Sequence, residues 1–169
     1  MPLPAAPDVL EVFLAPGEFY FGDEKTRIRT LLGSCVAIAL WHPRLRIGGM
    51  CHYMLPQRPR GTGHESLDGR YGDEAMALFL RELRRSGTAP ADYQVKLFGG
   101  GRMFTHGNTS RHADISGRNM DAGRDLVTRH GFRLHAHDMG GEGHRNVILD
   151  LWSGDVWLKR APLAPGGGG

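Results

Sequence analysis

Two apolar runs separated by a turn constrain the fold of this chain more than any other feature. Val36–Trp41 is rich in branched residues and predicts a buried strand, and residues 47–55 predict a returning strand that stops at Pro56. The segment between them, 42–45, reads His-Pro-Arg-Leu and favours a type I turn with proline in its second position. The sequence therefore predicts an antiparallel hairpin.

The register of this hairpin brings a thiol and an imidazole together. If residues 42–45 form a four-residue loop, Trp41 faces Arg46, and counting back in pairs places Cys35 opposite His52. Directly opposed residues have β-carbons about 4.5–5.5 Å apart. Cysteine beside histidine is the minimum equipment for nucleophilic catalysis by a thiol. The same residues also suit a small core cysteine and a hydrogen-bonded core histidine, so both interpretations stay open at this point.

The two faces of the hairpin differ in character. One face is continuously apolar, which predicts the core side and makes Cys51 a core residue; its members are Val36, Ile38, Leu40, Ile47, Cys51, Tyr53 and Leu55. The face of Cys35 carries the small residues Ala37, Ala39 and Gly48, which we expect to leave room for a helix or a substrate. Ser34 is a second possible nucleophile, but no nucleophile-elbow motif surrounds it.

The rest of the chain alternates helices with strands. Further strands are predicted at 9–14, 28–32, 93–98, 132–137, 147–152 and 156–159, helices from Asp73 to residue 86 and from 119 to 130, and long loops at 57–71 and 105–117. Such alternation predicts an α/β fold with a mixed sheet or two sheets. We expect a single domain over residues 1–160 and a disordered Pro/Gly tail over 161–169.

Composition excludes several classes of function. The 169 residues suit one domain, and no apolar stretch is long enough to span a bilayer, nor does the beginning of the chain resemble a signal peptide. We therefore expect a cytoplasmic protein whose two cysteines are free thiols. The net charge of +3 is modest, and the basic residues are scattered along the sequence. The arginines at 81, 84 and 85 suit a solvated helix face, so no nucleic-acid partner is expected.

Glycine-rich and histidine-rich segments give further expectations. Phe98 is followed by three glycines but by no Lys-Ser/Thr pair, so a tight strand exit near the site is favoured over a nucleotide loop. His135 and His137 share one face of a predicted strand, but no spacing for three or four zinc ligands is present, and neither a metal nor an organic cofactor is expected. Residues 138–145 either position substrate or form a turn.

Five ordered motifs over about residues 10–160 resemble the bacterial chemoreceptor glutamine deamidase family (CheD). They are Thr-Leu-Leu-Gly-Ser-Cys-Val-Ala at 30–37, Gly-Gly-Met-Cys-His-Tyr-Met-Leu-Pro at 48–56, Lys-Leu-Phe-Gly-Gly-Gly-Arg-Met-Phe at 96–104, Ile-Ser-Gly-Arg-Asn at 115–119, and Asp-Met-Gly-Gly-Glu-Gly-His-Arg at 138–145. The resemblance implies a layered α/β sandwich with mixed sheets and two main helices, similar to deamidating bacterial toxins.

The resemblance also implies an activity and a set of catalytic residues. It implies hydrolysis of receptor glutamine side chains to glutamate and ammonia through a thioester, with Cys35 as nucleophile and His52 as general base. The third catalytic residue of the family is a threonine six residues before the cysteine, and at that position this chain has Arg29. Thr30 fills that role only if the segment at Gly33 and Ser34 absorbs the offset of one residue.

The resemblance further implies partners, and rival functions remain. The expected partners are methyl-accepting chemotaxis receptors and the chemotaxis phosphatase CheC, with no insertion into the membrane. One rival is a different cysteine amidase or acyltransferase built on the same hairpin. The other is an adaptor in chemotaxis that binds receptor and phosphatase with weak or no catalysis, for which Arg29 is the one argument.

Overall fold

Two β-sheets lie face to face in the computed structural model of this chain, and two helices cover the outer face of the larger sheet. The structure describes residues 4, 6, 8–63, 66–103 and 109–163. Within those ranges, the strands are β1 (Leu10–Leu14), β2 (Phe19–Gly22), β3 (Thr26–Leu32), β4 (Val36–Trp41), β5 (Gly48–Cys51), β6 (Gln94–Gly99), β7 (Arg133–Met139), β8 (His144–Asp150) and β9 (Val156–Ala161). The helices are α1 (Gly72–Ser86) and α2 (Thr109–Arg129), and a 3₁₀ turn at Pro90–Asp92 precedes β6.

Both sheets mix parallel and antiparallel pairs. The smaller sheet has the order β1-β3-β8-β9, and the larger has the order β2-β5-β4-β6-β7. The parallel pairs are β1 with β3 and β6 with β7. The predicted α/β class, with mixed sheets and two main helices, is confirmed.

A separate core lies on each side of the larger sheet. On the helix side, Met76, Phe79 and Leu83 project from α1 at helical spacing onto Ile38 and Leu40. On the other side, the small residues of β4 contact the smaller sheet, in a cluster that includes Ala37, Ala39, Leu14, Ile28 and Val147. The expectation that this small-residue face admits a helix or a substrate is therefore wrong along most of its length. A second sheet covers it, and the small side chains permit the close stacking.

The hairpin forms, but its register differs from the predicted one by two residues. Trp41 pairs with Gly48 and Ala39 with Met50, so the connection spans residues 42–47 instead of 42–45. The side chain of His42 explains the longer loop, because its Nδ1 accepts hydrogen bonds from the backbone N–H groups of residues 44 and 45. A shift of two residues leaves every side chain on its predicted face, since strand side chains alternate with period two.

One strand and both helix starts also differ from the sequence prediction. The strand β2 was not predicted. The first helix begins at Gly72, with Tyr71 instead of Asp73 at the N-cap, although Gly87 ends it in a left-handed conformation as expected. The second helix begins at residue 109, so residues 109–117 are helical and not part of the predicted loop, while residues 105–108 lie outside the described ranges.

The predicted tail begins too early. Ala161 is the last residue of β9, where it pairs with His144, and the predicted disorder over 164–169 falls outside the described residues. In the part of the chain that the structure describes, neither helix is long and apolar enough to cross a membrane.

Candidate active site

Thr30 and His52 meet at the interface between the two sheets. Thr30 projects from β3 of the smaller sheet, and His52 follows β5 of the larger sheet. The Oγ1 atom of Thr30 lies 2.7 Å from Nδ1 of His52, and both residues are almost completely buried. Arg29 is exposed, because successive residues of a strand point to opposite faces. The structure thus brings Thr30, and not its neighbour, to the histidine.

The hydrogen bonds of Thr30 determine which nitrogen of His52 carries the proton. The Thr30 hydroxyl donates to the carbonyl oxygen of Leu14 at 2.9 Å, and a carbonyl can only accept. The hydroxyl has only one hydrogen, and the hydrogen bond to Leu14 uses it. Thr30 Oγ1 must therefore accept a hydrogen bond from Nδ1–H of His52. A neutral imidazole protonated on Nδ1 has its lone pair on Nε2. The threonine therefore leaves Nε2 as the basic atom of His52.

Cys35 lies on the same sheet face as His52, but diagonally and not directly opposite. The pairing of Ala39 with Met50 continues without a bulge to the bridge between Val36 and Tyr53, which places Ala37 opposite His52. Cys35 is two residues further along the same face, and diagonal cross-strand neighbours of this kind are about 7–8 Å apart in space. The predicted direct opposition is corrected, while the shared face is confirmed.

A cavity opens at Cys35. Its volume is about 330 Å³, and it is lined by Ser34, Cys35, Met54, Leu55, Arg70, Tyr71 and Ile115. Most of these residues lie in loops or at helix ends, where hydrophobic periodicity carries no signal, so the sequence does not predict that they lie together. Cys35 is half-buried at the cavity, whereas Cys51 is fully buried in the helix-side core as predicted.

Burial keeps both members of the thiol–imidazole pair uncharged. It lowers the pKa of His52 from 6.5 to about 4, and it raises the pKa of the Cys35 thiol. The pKa of Cys51 rises to about 12 for the same reason. At neutral pH the structure therefore holds an uncharged Cys35 thiol and an uncharged His52 imidazole, and not a preformed thiolate–imidazolium ion pair.

The glycines after β6 hold the loop that carries Cys35. The backbone N–H of Gly100 donates to the carbonyl of Cys35, and that of Gly101 donates to the carbonyl of Gly33, each at 2.9 Å. Gly99 has a φ of 114°, and a β-carbon there would lie 2.1 Å from the Cys35 oxygen. Only glycine permits this approach, so the predicted tight strand exit near the site is present.

Residues 138–145 pack against the glycines at 99–101 and against Arg102. Arg145 is fully buried and donates through Nε to Asp138 at 2.8 Å and through another nitrogen to the Gly140 carbonyl. Backbone hydrogen bonds join Arg102 to Gly141 and Gly143. Of the two possibilities left open for this segment, the described contacts are those of a turn packed against the loop.

No metal centre forms among the described residues. Within those ranges, no group of three or more His, Cys, Asp and Glu side chains converges at one point. His135 and His137 lie on β7, and both are exposed.

Asn119 of α2 links the two chain segments that form the cavity. Its Nδ2 donates to the carbonyl of Ser34 at 3.2 Å and to that of Met54 at 2.9 Å. In the sequence, Asn119 belongs to a family motif and stands at the predicted start of the second helix, but no role is predicted for it, because nothing in the sequence pairs α2 with the Cys35 loop.

A family model and individual relatives both identify this chain as similar to CheD proteins. The family described as CheD chemotactic sensory transduction matches residues 54–160, a range that contains Asn119 but not Thr30, Cys35 or His52. A probable chemoreceptor glutamine deamidase CheD from Pseudomonas syringae pv. tomato is 52% identical over 155 residues, which cover 91% of each chain. A protein of that name from Dechloromonas aromatica, numbered CheD 3, is 56% identical over 91% of this chain and 90% of its own.

More distant proteins are also similar. A probable chemoreceptor glutamine deamidase CheD 1 from Leptospira interrogans is 39% identical over 90% of this chain and 93% of its own. Among solved structures, the hypothetical protein YfiH of Bacillus licheniformis aligns with 73% of this chain and 49% of its own, at 14% identity and a TM-score of 0.42. That likeness is too slight to bear on function.

Proposed function

This chain belongs to the CheD family, and from that premise we propose that it deamidates glutamine side chains of chemotaxis receptors to glutamate, releasing ammonia. The observation that carries the proposal at the level of residues is the hydrogen-bond chain from Leu14 through Thr30 to His52. These hydrogen bonds leave Nε2 of His52 as its basic atom, on the sheet face that also carries Cys35.

In the proposed first step, the sulfur of Cys35 attacks the carboxamide carbon of a receptor glutamine. The thiol proton moves to Nε2 of His52, and the carbonyl electron pair moves onto oxygen. When the pair returns, the carbon–nitrogen bond breaks, and the imidazolium gives its proton to the leaving nitrogen. The products of this step are ammonia and a thioester on Cys35.

In the second step, water attacks the thioester carbon while His52 takes its proton. The carbon–sulfur bond then breaks, and the proton on His52 returns to the sulfur. This leaves a glutamate side chain and restores the neutral pair. The low pKa of His52 keeps the imidazole unprotonated across the neutral range, and the raised pKa of Cys35 makes a general base necessary.

The proposal extends to the setting of the reaction. We propose that the protein acts in the cytoplasm, on the cytoplasmic portions of its receptors and without inserting into the membrane. The chemotaxis phosphatase CheC is the proposed regulatory partner, on the strength of the family resemblance. Co-purification of CheC with this chain tests the partnership.

Replacing Cys35 with alanine tests the proposed activity directly. The Cys35→Ala variant should release no ammonia from a receptor fragment, because no other described residue supplies a thiol to the cavity. Enzymatic ammonia detection, together with mass spectrometry of the amide-to-acid conversion, measures the effect.

The second cysteine provides a matched control. Cys51→Ala removes a thiol from the opposite face of the hairpin, so it should retain ammonia release despite some loss of stability. Retained ammonia release by Cys35→Ala would reject the assignment of the nucleophile.

A further inference from the structure

The carbonyl groups on both sides of the Cys35 nitrogen are held by hydrogen-bond donors. Asn119 Nδ2 holds the carbonyl of Ser34 at 3.2 Å, and the Gly100 N–H holds the carbonyl of Cys35 at 2.9 Å. By contrast, the backbone N–H of Cys35 has no acceptor among the described residues. The peptide between Ser34 and Cys35 is thus fixed in orientation while its own donor is left unused.

The orientation of the Asn119 amide follows from its partners. The carbonyls of Ser34 and Met54 can only accept hydrogen bonds, so the amide nitrogen must face both of them. Its Oδ1 is buried without a hydrogen-bond partner in the described part of the chain. A buried acceptor without a partner is unfavourable for folding. The side chain is therefore arranged to hold the two carbonyls, at the expense of its own oxygen.

The backbone around Asn119 is also held. The hydroxyl of Tyr53 donates to the carbonyl oxygen of Asn119, which ties this turn of α2 to the residue that follows His52. Asn119 has no exposed surface. The Asn119 side chain therefore links the position of α2 to that of the loop that precedes Cys35.

We propose that Asn119 is a positioning residue that directs the backbone N–H of Cys35 toward the oxyanion formed during deamidation. In a trans peptide the C=O and N–H bonds point in opposite directions. Because Asn119 holds the Ser34 oxygen, the Cys35 N–H points away from the Asn119 amide, and Ser34 and Cys35 both line the cavity. The inference rests on the proposed deamidase function and names a part of its mechanism.

The chemistry gives this N–H a defined task. When the Cys35 sulfur bonds to the carboxamide carbon, the π electron pair of the carbonyl moves onto oxygen, and the thiol proton goes to His52. The backbone N–H of Cys35 belongs to the residue whose sulfur bonds to the reacting carbon. It is therefore well placed to donate a hydrogen bond to the negatively charged oxygen on that carbon. Asn119 does not touch the substrate in this scheme, and acts only through the peptide that it holds.

Two reactions of the same thiol separate positioning from general disruption. Deamidation passes through an oxyanion and needs the directed N–H. Alkylation of Cys35 by iodoacetamide is a direct displacement at a saturated carbon, and it needs the thiol and its base but no oxyanion donor. A residue that only supports the fold of the site would affect both reactions.

The test replaces Asn119 with serine and measures both reactions on full-length protein. Removal of a single oxyanion donor typically costs about 10²–10³ in kcat, and misdirecting it should cost roughly 10- to 100-fold. We expect that decrease in kcat for Asn119→Ser, with KM for the receptor fragment and the rate of Cys35 alkylation unchanged. An unchanged kcat, or an equal fall in both reactions, would overturn the proposal.

Ser116→Ala is the matched control. It removes another buried hydrogen bond from α2, in which Ser116 donates to the carbonyl of Gly101 at 3.1 Å, but leaves the Ser34 carbonyl held. We expect a comparable loss of stability and an unchanged kcat. A fall in kcat for Ser116→Ala as large as that for Asn119→Ser would also count against the specific role of Asn119.

A measurement on the wild-type protein covers the case in which Asn119→Ser does not fold. A receptor peptide with an aldehyde in place of the carboxamide adds to Cys35 and forms a tetrahedral adduct. In isotope-labelled protein, the backbone amide proton of Cys35 should shift downfield as it gains an acceptor, and the absence of a shift would reject the proposal. Failure of the deamidase function gives a different result: wild-type protein would release no ammonia, or Cys35→Ala would release as much as wild type.

Discussion

At the scale of single residues, one hydroxyl proton organises the candidate site. The Thr30 hydroxyl donates its hydrogen bond to the Leu14 carbonyl and so must accept from Nδ1–H of His52, which leaves Nε2 basic. The sequence predicts that Cys35 and His52 share a face, because strand side chains alternate with period two. Strand periodicity does not predict that Thr30 reaches His52, because that contact joins two different sheets, and only the family resemblance proposes Thr30 for this role.

Replacement of Thr30 should change the rate of the reaction more than the affinity for the substrate. Thr30→Val removes the acceptor for Nδ1–H with almost no change of volume, so the tautomer and ring orientation of His52 are no longer fixed. We expect kcat for ammonia release to fall roughly 10- to 100-fold with KM little changed. Thr30→Ser keeps the hydroxyl and should recover most of the activity. Equal rates for the valine and serine variants would contradict this account.

At the scale of elements, the sequence predicts which faces are buried better than where elements begin. The hairpin loop is two residues longer than expected because His42 binds the loop amides, yet Val36, Ile38 and Leu40 still face the helices. The predicted loop over 105–117 ends at Gly117, but α2 begins at residue 109 and continues through this glycine. Local preference is a weak guide where tertiary contacts, such as those of Ser116 and Asn119, determine the outcome.

Two glycines that look alike in the sequence should respond oppositely to alanine. Gly99→Ala forces a side chain into a positive φ and against the Cys35 carbonyl, so we expect a loss of about 1–3 kcal/mol in the free energy of unfolding. Gly117→Ala is the control, because Gly117 lies within a helix and a β-carbon there would have no described atom outside the helix backbone within 4 Å. It should raise stability by about 0.5–1 kcal/mol. Urea denaturation measures both, and a neutral Gly99→Ala would contradict the tight approach.

At the scale of the whole molecule, the uncharged state of His52 links the site to stability. The unfolded chain binds a proton on this imidazole below a pH of about 6.5, whereas the native protein resists it until about 4. Because the unfolded state binds more protons in that window, stability rises with pH through it and is lost as the pH falls from 6.5 to 4.

Acid titration of stability should reveal this contribution. Between pH 7.5 and 4, His52 should account for a loss of about 3 kcal/mol in the free energy of unfolding. His52→Gln cannot take up the proton, so its stability should fall less over the same range. Parallel curves for wild type and His52→Gln would show that the native imidazole titrates normally.

The position of Thr30 and His52 in different sheets has a consequence for how such a protein can arise and persist. Neither layer contains a working site by itself: the larger sheet holds the thiol and the imidazole, and the smaller sheet holds the group that orients the imidazole. Activity therefore reports the docking of the two layers. A duplicated hairpin, a truncated copy or a chain with one sheet out of place would keep its cysteine and histidine and still lack the oriented base.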